Sequence, residues 1–320
     1  MGTARRVRGR GDDLSADEAV AALREHGRWP LLRDVMVRFR YADGFSHARA
    51  LAFQTVLAVV PFAIAVIGLS EVMHTERIAE VAELTIERLT AGPSADMIRD
   101  VLDRSRTRAG SGGTVALWFG LVFSMVNLVT AMSQIERGAN RIYGIERDRP
   151  ALRKYGRGVV MTVLAGLPMG AGFVVLVAGP EIAASVAEVY GSGSGGALTV
   201  WSVLRWPLGF GLALLSTVVI FRRAPRRRQP GYSWLAFGAA VHLVLWTTAT
   251  WLLRLYLRIS GSFDAVYGPL SAGVSLLVWA YLTAIALLLG ISFAAQLEAD
   301  RTGQRTPIEP DPGPGQPERG

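Results

Sequence analysis

Six long apolar stretches, with basic residues concentrated in alternate gaps between them, constrain this chain more than any other feature. Each stretch is close to or above the ~20 residues that a helix needs to cross the hydrocarbon core of a bilayer. The stretches cover residues 48–69, 114–134, 158–180, 198–221, 233–255 and 270–296.

The basic residues are distributed in strict alternation along the chain. Nine precede the first stretch, the second and fourth gaps hold seven and five, and the tail after the last stretch holds three. The three remaining gaps hold six, none and one. Cytoplasmic loops of membrane proteins are enriched in Lys and Arg. The pattern therefore predicts six membrane-spanning helices with both termini in the cytoplasm.

Composition agrees with a membrane protein. The chain has 320 residues, of which 51% are hydrophobic, and its mean hydropathy is +0.31. A net charge of +8 is compatible with nucleic-acid binding, but most of the basic residues lie in the loops predicted to be cytoplasmic. Anionic lipid headgroups and membrane orientation account for the charge there, so we expect no nucleic-acid partner. The chain has no cysteine, which excludes disulfides and thiolate metal ligands.

The regions outside the membrane domain differ in character. Residues 1–28 and 299–320 are polar or rich in Pro and Gly and are predicted to be disordered cytoplasmic segments flanking a membrane domain at 29–298. The outer loop at 70–113 is predicted to contain two helices separated by an Ala-Gly-Pro break. No cleavable signal peptide is expected, because no short apolar core with a cleavage site precedes the first stretch.

Residues 29–41 have a helical pattern of their own. Leu32, Val35, Met36 and Phe39 share one predicted face, while Arg38 and the other charged residues lie elsewhere. With aromatic residues at both ends, the segment is predicted to be a helix in the cytoplasmic headgroup layer. The alternative is a cytoplasmic helix packed on the rest of the protein.

Polar residues and one proline within or beside the spans are the candidate functional residues. Polar groups are costly in lipid, so they are expected to face the helix bundle. Two interpretations stay open for them: hydrogen bonding between helices, or contact with a substrate that moves along kinked helices. The candidate substrate-path residues are Gln54, Pro61, Asn127, Asn140, His242 and Gln296.

Features of an enzyme are weak in this sequence. The four histidines are too far apart in sequence to form a helical metal-binding pair, and no Gly-x-Ser-x-Gly elbow has a strand–turn–helix context. The glycine runs lack the ending of a phosphate-binding loop. We therefore expect no catalytic residues, no metal site and no cofactor.

Three segments together resemble the YihY/BrkB family of bacterial inner-membrane proteins. The first is residues 48–69, which read ARALAFQTVLAVVPFAIAVIGL, and the second is Asn140-Arg141-Ile142-Tyr143-Gly144. The third is Tyr267-Gly268 followed by Trp279, Tyr281 and Gly290. The resemblance covers about residues 30–298. It implies an all-α, six-span protein of the inner membrane with both termini inside.

The resemblance leaves function open. Some family members carry a ribonuclease label and others a virulence-factor label, and suggested roles include transport of envelope lipid or lipopolysaccharide. Here the last span departs from the family's usual Gly-Ala-Glu-Leu-Asn-Ala-Glu ending. Ser292, Ala294 and Gln296 replace its acidic, Asn and second acidic positions. If that carboxylate carries function in relatives, this chain lacks it or uses another group.

The leading hypothesis is a multi-pass plasma-membrane protein that transports or handles a lipid or another envelope component. The kinked, glycine-rich spans, the intramembrane amides and the family resemblance motivate it. A non-transporting scaffold for envelope assembly is the alternative, and a membrane-bound hydrolase is a third. The expected partners are membrane lipids with anionic headgroups at the cytoplasmic face, and a second copy of the chain or envelope-assembly proteins.

Overall fold

A computed structural model of the chain is almost entirely helical in the residues that it describes. Six of its helices are long, with 27 to 31 residues each. The structure describes residues 3–7, 16–26, 28–72, 113–146, 149–177, 195–259, 263, 267, 270–304 and 306–309.

Each predicted apolar stretch coincides with one long helix. Five of these helices, α4 to α8, are long and apolar enough to cross a membrane, which confirms a membrane-protein architecture. Helix α3 contains the first predicted stretch, and its crossing stays a prediction, as does the orientation of the termini. The bounds are α3 Gly44–Val72, α4 Gly113–Ile142, α5 Ala151–Val177, α6 Gly195–Arg223, α7 Tyr232–Ile259 and α8 Ser271–Arg301.

The six long helices form three helical hairpins arranged in a ring. Helix α3 packs most extensively on α4, α5 on α6, and α7 on α8. Contacts of α4 with α5, α6 with α7, and α8 with α3 close the ring. Because consecutive helices are neighbours throughout, the chain order also gives the spatial order of the helices.

The first and last described segments of the chain lie together at one end of this ring, here called the basal end. A short strand β1, Thr3–Ala4, pairs antiparallel with β2, Ile308–Glu309. Two shorter helices, α1 at Ala16–His26 and α2 at Arg28–Tyr41, also pack on α8. The prediction that residues 1–28 and 299–320 are disordered therefore differs from the structure at these described residues. Strand pairing and contacts with α8 supply the order that composition alone did not indicate.

Helix α2 confirms the predicted helix at residues 29–41 but corrects its buried face. Leu31, Val35 and Phe39 are buried, together with Arg38, whereas Met36 is half exposed. The buried face is thus displaced by about one residue from the predicted one. Packing against α8 selects this face, because it brings Arg38 to polar partners on that helix.

Glycines allow a close helix crossing between α7 and α8. A Cβ added to Gly238 would lie 2.7 Å from the carbonyl oxygen of Gly290, and a Cβ added to Gly290 would lie 2.7 Å from that of Gly238. Small residues at such a crossing let two helix backbones approach directly. The Phe221 ring of α6 packs into the same crossing.

In four of the long helices, side-chain burial decreases from the basal end to the opposite end, here called the distal end. In α8 the residues from Ala284 to Ala299 are buried or half-buried, whereas Leu277 and Val278 are exposed. Helices α4, α6 and α7 show the same gradient, with exposed large apolar side chains on several sides of their distal halves. In these four helices the described residues are therefore packed more tightly at the basal end than at the distal end.

The close contacts of the helix glycines follow the same gradient. Contacts between hairpins lie in the basal halves, as between Gly158 of α5 and Val129 of α4. Contacts in the distal halves lie within hairpins, such as Gly172 of α5 against the Gly209 carbonyl of α6. The predicted outer loop at 70–113 lies outside the described residues, except that 70–72 continue α3 and Gly113 begins α4.

Candidate functional site

A buried polar cluster at the basal end is the most unusual chemical feature of the described chain. Arg38 of α2 is 1% exposed, and Gln296 of α8 is fully buried. Arg38 Nε donates a 2.8 Å hydrogen bond to Gln296 Oε1. Arg38 Nη1 donates to the backbone carbonyls of Arg5, at 3.0 Å, and Ile142, at 3.1 Å. One guanidinium thereby connects the N-terminal strand, α2, the end of α4 and α8.

A buried ion pair lies beside Arg38. Arg227, in the loop between α6 and α7, pairs with Glu298 of α8, whose side chain is 1% exposed. The Arg227 guanidinium also lies over the ring of Tyr143, 4.8 Å from its centroid. We call Arg38, Tyr143, Arg227, Gln296 and Glu298 the basal cluster.

The loops flanking the basal cluster are held by further polar contacts. Asn140 Oδ1 accepts a 2.7 Å hydrogen bond from the backbone N–H of Arg226, so α4 is tied to the loop between α6 and α7. Glu136, also buried, forms a 2.6 Å ion pair with Arg149. The basic loops that the charge pattern assigned to one side of the membrane thus meet at one end of the bundle.

Burial changes the protonation chemistry of the basal cluster without neutralising it. Desolvation lowers the pKa of Arg38 to about 10, and the nearby Tyr143 and Asp300 partly oppose this shift. Arg38 therefore stays charged at neutral pH. Burial also raises the pKa of Tyr143, so its phenol stays protonated. A buried charge is costly unless it is paired or hydrogen-bonded. Arg38 has three hydrogen-bond acceptors, and Arg227 beside it is paired with Glu298.

Gln296 has a specific role in this arrangement. Its Oε1 accepts from Arg38, while its Nε2 donates a 2.8 Å hydrogen bond to Asp300 Oδ1, one helical turn later. An amide can accept on one side and donate on the other, which a carboxylate cannot do. Gln296 can therefore bond to both of its polar neighbours, Arg38 and Asp300, at once.

The six predicted site residues do not form one group. Asn140 and Gln296 both lie at the basal end, and Arg38 links them through Gln296 and the Ile142 carbonyl. Gln54 is half-buried on α3, and the Pro61 carbonyl approaches Gly120 of α4. These two residues lie within the α3–α4 hairpin rather than in the basal cluster.

The other two predicted residues are placed differently. Asn127 is buried, but its Nδ2 donates a 2.8 Å hydrogen bond to the Phe123 carbonyl of its own helix, one turn earlier. Asn127 therefore hydrogen-bonds within its own helix, and not between helices as predicted. His242 is buried at the α7–α8 crossing, where its Cβ would lie 2.9 Å from a Cβ at Gly290.

Most of the basal cluster was not predicted from sequence. The sequence pattern places Arg38 outside the apolar face of α2 and Arg227 in a basic loop, and it indicates no role for Glu298. One signal could have identified the ion pair: Glu298 and Asp300 directly continue the apolar run of the last span. In the described part of the chain, no group of three or more His, Cys, Asp or Glu could hold a metal ion.

Comparison with known proteins identifies similar chains. The chain is 22% identical to the ribonuclease-like protein YfkH of Bacillus subtilis, over 81% of this chain and 92% of that protein. It is 26% identical to a UPF0761 membrane protein of Chromohalobacter salexigens, over 85% of this chain. It is 28% identical to the UPF0761 membrane protein xcc-b100_3490 of Xanthomonas campestris, over 80% of this chain.

The aligned lengths differ between these relatives. The aligned region spans 64% of the Chromohalobacter protein and 58% of the Xanthomonas protein. No solved structure matches the chain. The sequence pattern of the family described as virulence factor BrkB matches residues 35–315, which is most of the chain. The chain therefore belongs to the virulence factor BrkB family of membrane proteins.

Proposed function

We propose that the protein binds a lipid or another amphiphilic component of the cell envelope between its helical hairpins and moves it within the plasma membrane. Both termini and the basal cluster lie at the cytoplasmic side in this proposal. The observation that carries it is the exposure of large apolar side chains along the distal halves of α4, α6 and α7. Apolar side chains exposed along adjoining hairpins offer a surface that suits acyl chains.

The basal cluster supports the proposal by closing one end of the bundle. Its hydrogen bonds and the Arg227–Glu298 ion pair join all three hairpins through α4, α8 and the loop between α6 and α7. A bundle closed at one end and separated at the other suits access from one side of the membrane at a time. Moving a substrate to the opposite side then requires the basal cluster to open.

Prolines supply bending points within three helices. Pro61, Pro168 and Pro207 lie inside α3, α5 and α6, one in each of these helices. A proline removes a helix hydrogen bond and favours a kink. The distal parts of two hairpins can thereby tilt while their basal parts stay packed.

We also propose that the role is not enzymatic. The name of the Bacillus relative refers to ribonuclease-like activity, and it belongs to that protein. In this chain the buried carboxylates Glu136 and Glu298 each pair with an arginine. A carboxylate engaged in this way is poorly placed to activate water.

Reconstitution into lipid vesicles tests the proposed function. A fluorescent phospholipid is placed in both leaflets, and a membrane-impermeant reductant bleaches the outer one. With protein present we expect bleaching to proceed beyond the outer-leaflet fraction. Bleaching that stops at the level of protein-free vesicles, for phospholipids of every headgroup tested, would contradict lipid transfer by the chain alone.

A further inference from the structure

Helix α2 has a second apolar face, which is exposed. Trp29, Leu32 and Met36 are 82%, 51% and 48% exposed. Their spacing of three and four residues places them along one stripe of the helix. The stripe is distinct from the face of Leu31 and Phe39, which is buried against the protein. Helix α2 is thus apolar on two sides.

Arginines border the exposed stripe. Arg33 follows Leu32 directly, and Arg40 lies one turn beyond Met36; both arginines are exposed. An apolar stripe containing Trp and flanked by Arg is typical of a helix that lies in a membrane interface. The positive charge selects for anionic headgroups rather than for zwitterionic ones.

The exposed stripe lies next to an apolar membrane helix. Helix α3 begins three residues after α2 ends, and Phe45 near its start packs edge-to-face on Phe39 of α2, with ring centroids 4.9 Å apart. Phe45 and Phe53 of α3 are themselves 43% and 56% exposed. The exposed apolar surface of α2 is therefore close to the point where the chain enters the membrane.

The same helix holds Arg38 in the basal cluster. Arg38 lies between Met36 and Arg40 in sequence, but its side chain points to the opposite, buried side and hydrogen-bonds to Gln296. A displacement of α2 away from the bundle would break this hydrogen bond and the two to backbone carbonyls. The position of α2 therefore determines whether the basal cluster is intact.

We propose that the exposed stripe of α2 docks into a membrane surface rich in anionic phospholipid, and that this docking keeps Arg38 in the basal cluster. Anionic headgroups would then stabilise the closed basal end. The proposal does not depend on lipid transport, because a scaffold with the same bundle would respond to headgroup charge in the same way.

Spin labels test the docking, and the absence of cysteine allows them to be placed singly. Labels at Leu32→Cys and Met36→Cys probe the stripe. A label at Arg24→Cys, an exposed position of α1, is the matched control. The full chain is studied in nanodiscs of phosphatidylcholine, with or without phosphatidylglycerol. With phosphatidylglycerol we expect the stripe labels to be more accessible to oxygen than to a water-soluble nickel chelate, and the control label to show the reverse.

Two outcomes of the label experiment would overturn the docking. In one, the nickel chelate reaches the Met36 label as readily as the Arg24 label in both lipid mixtures. In the other, the stripe labels are immobilised equally in both mixtures and only at high protein concentration. The second result would assign the stripe to contact between two copies of the chain.

Hydrogen exchange tests the link to the basal cluster. Amides of residues 291–301 should exchange more slowly with phosphatidylglycerol than without it, and Arg33→Gln with Arg40→Gln should remove the difference. An anionic surface favours binding by about fivefold for each basic residue near it. With two arginines, we expect exchange of these amides to slow by about 25-fold. The same exchange rates in both lipid mixtures would contradict the coupling, even if the labels show docking.

Discussion

Arg38 and Gln296, 258 positions apart in sequence, are joined by a buried 2.8 Å hydrogen bond at the basal end of the helix bundle. The bond connects the short helix α2 to the last long helix, α8. Neither side chain has alternative partners in water, because both are buried. A buried donor or acceptor left without its partner lowers the free energy of unfolding by more than an exposed hydrogen bond would contribute.

Replacing Gln296 should therefore destabilise the bundle. Gln296→Leu leaves the Nε of Arg38 without an acceptor, and we expect a loss of about 1–3 kcal/mol in the free energy of unfolding. Thermal unfolding in detergent measures this loss. Arg40→Met on the same helix is the control, because Arg40 is exposed and its loss should change stability little.

A carboxylate introduced at position 296 should also destabilise the bundle while Asp300 is present. Gln296→Glu keeps an acceptor for Arg38 but places a second negative charge against Asp300, to which Gln296 now donates. We expect Gln296→Glu to lower the unfolding temperature and Asp300→Asn, added to it, to restore most of the loss. An additive effect of the two substitutions would show that the side chains at 296 and 300 do not interact.

The Arg227–Glu298 pair should be the strongest single polar contact of the basal cluster. Glu298→Gln and Arg227→Gln each leave a partly or fully buried charge unpaired, so each should cost about 3 kcal/mol. A double-mutant cycle isolates the coupling energy. The matched control is the exposed pair of Arg301 and Glu18, which should contribute less than about 1 kcal/mol. Equal coupling in both pairs would contradict the assignment.

The α7–α8 crossing should tolerate no side chain at its glycines. Gly238→Ala and Gly290→Ala place a Cβ 2.7 Å from a backbone oxygen, so the helices must separate. We expect a loss of about 1–3 kcal/mol for each substitution. Gly166→Ala and Gly211→Ala are controls, because nothing lies within 4 Å of the added carbon at either position. Unfolding temperatures in detergent distinguish the two groups.

Asn127 and Gln54 should affect transport more than folding. Asn127 bonds only within its own helix, so Asn127→Ala costs no contact between helices. In the vesicle assay we expect Asn127→Ala and Gln54→Ala to slow lipid transfer while unfolding temperatures stay near wild type. Asn140→Ala should instead lower the unfolding temperature more than it slows lipid transfer, because it removes the acceptor of the Arg226 amide in the neighbouring loop. Normal transfer by Asn127→Ala would remove it from the substrate path.

The long helices could be predicted because their signal is local. Each predicted apolar stretch falls on one helix. The concentration of basic residues in alternate gaps agrees with terminal segments that meet through β1 and β2. Helix ends were less accurate: α4 continues to Ile142 and α8 to Arg301, past the apolar residues. Both extensions carry polar residues that protein contacts, rather than lipid, accommodate.

The basal cluster could not be predicted, because its contacts join distant parts of the chain. Helical periodicity placed Arg38 beside an apolar face, but nothing in the sequence near it indicates Gln296 as its partner. The same reasoning placed Asn127 against a neighbouring helix, although a carbonyl one turn earlier was an equally close acceptor. Local patterns fix which residues are helical, and long-range packing decides which polar atoms meet.

The distance between hairpins in a bilayer tests most directly the claim that the bundle is closed basally and separated distally. Spin-label pairs at Val122→Cys with Val174→Cys, on the distal parts of α4 and α5, are compared with a basal pair at Arg141→Cys and Leu152→Cys. All four positions are exposed. We predict a broad distance distribution for the distal pair and a single narrow one for the basal pair. A distal distribution as narrow as the basal one, centred at the spacing of packed helices, would contradict the account.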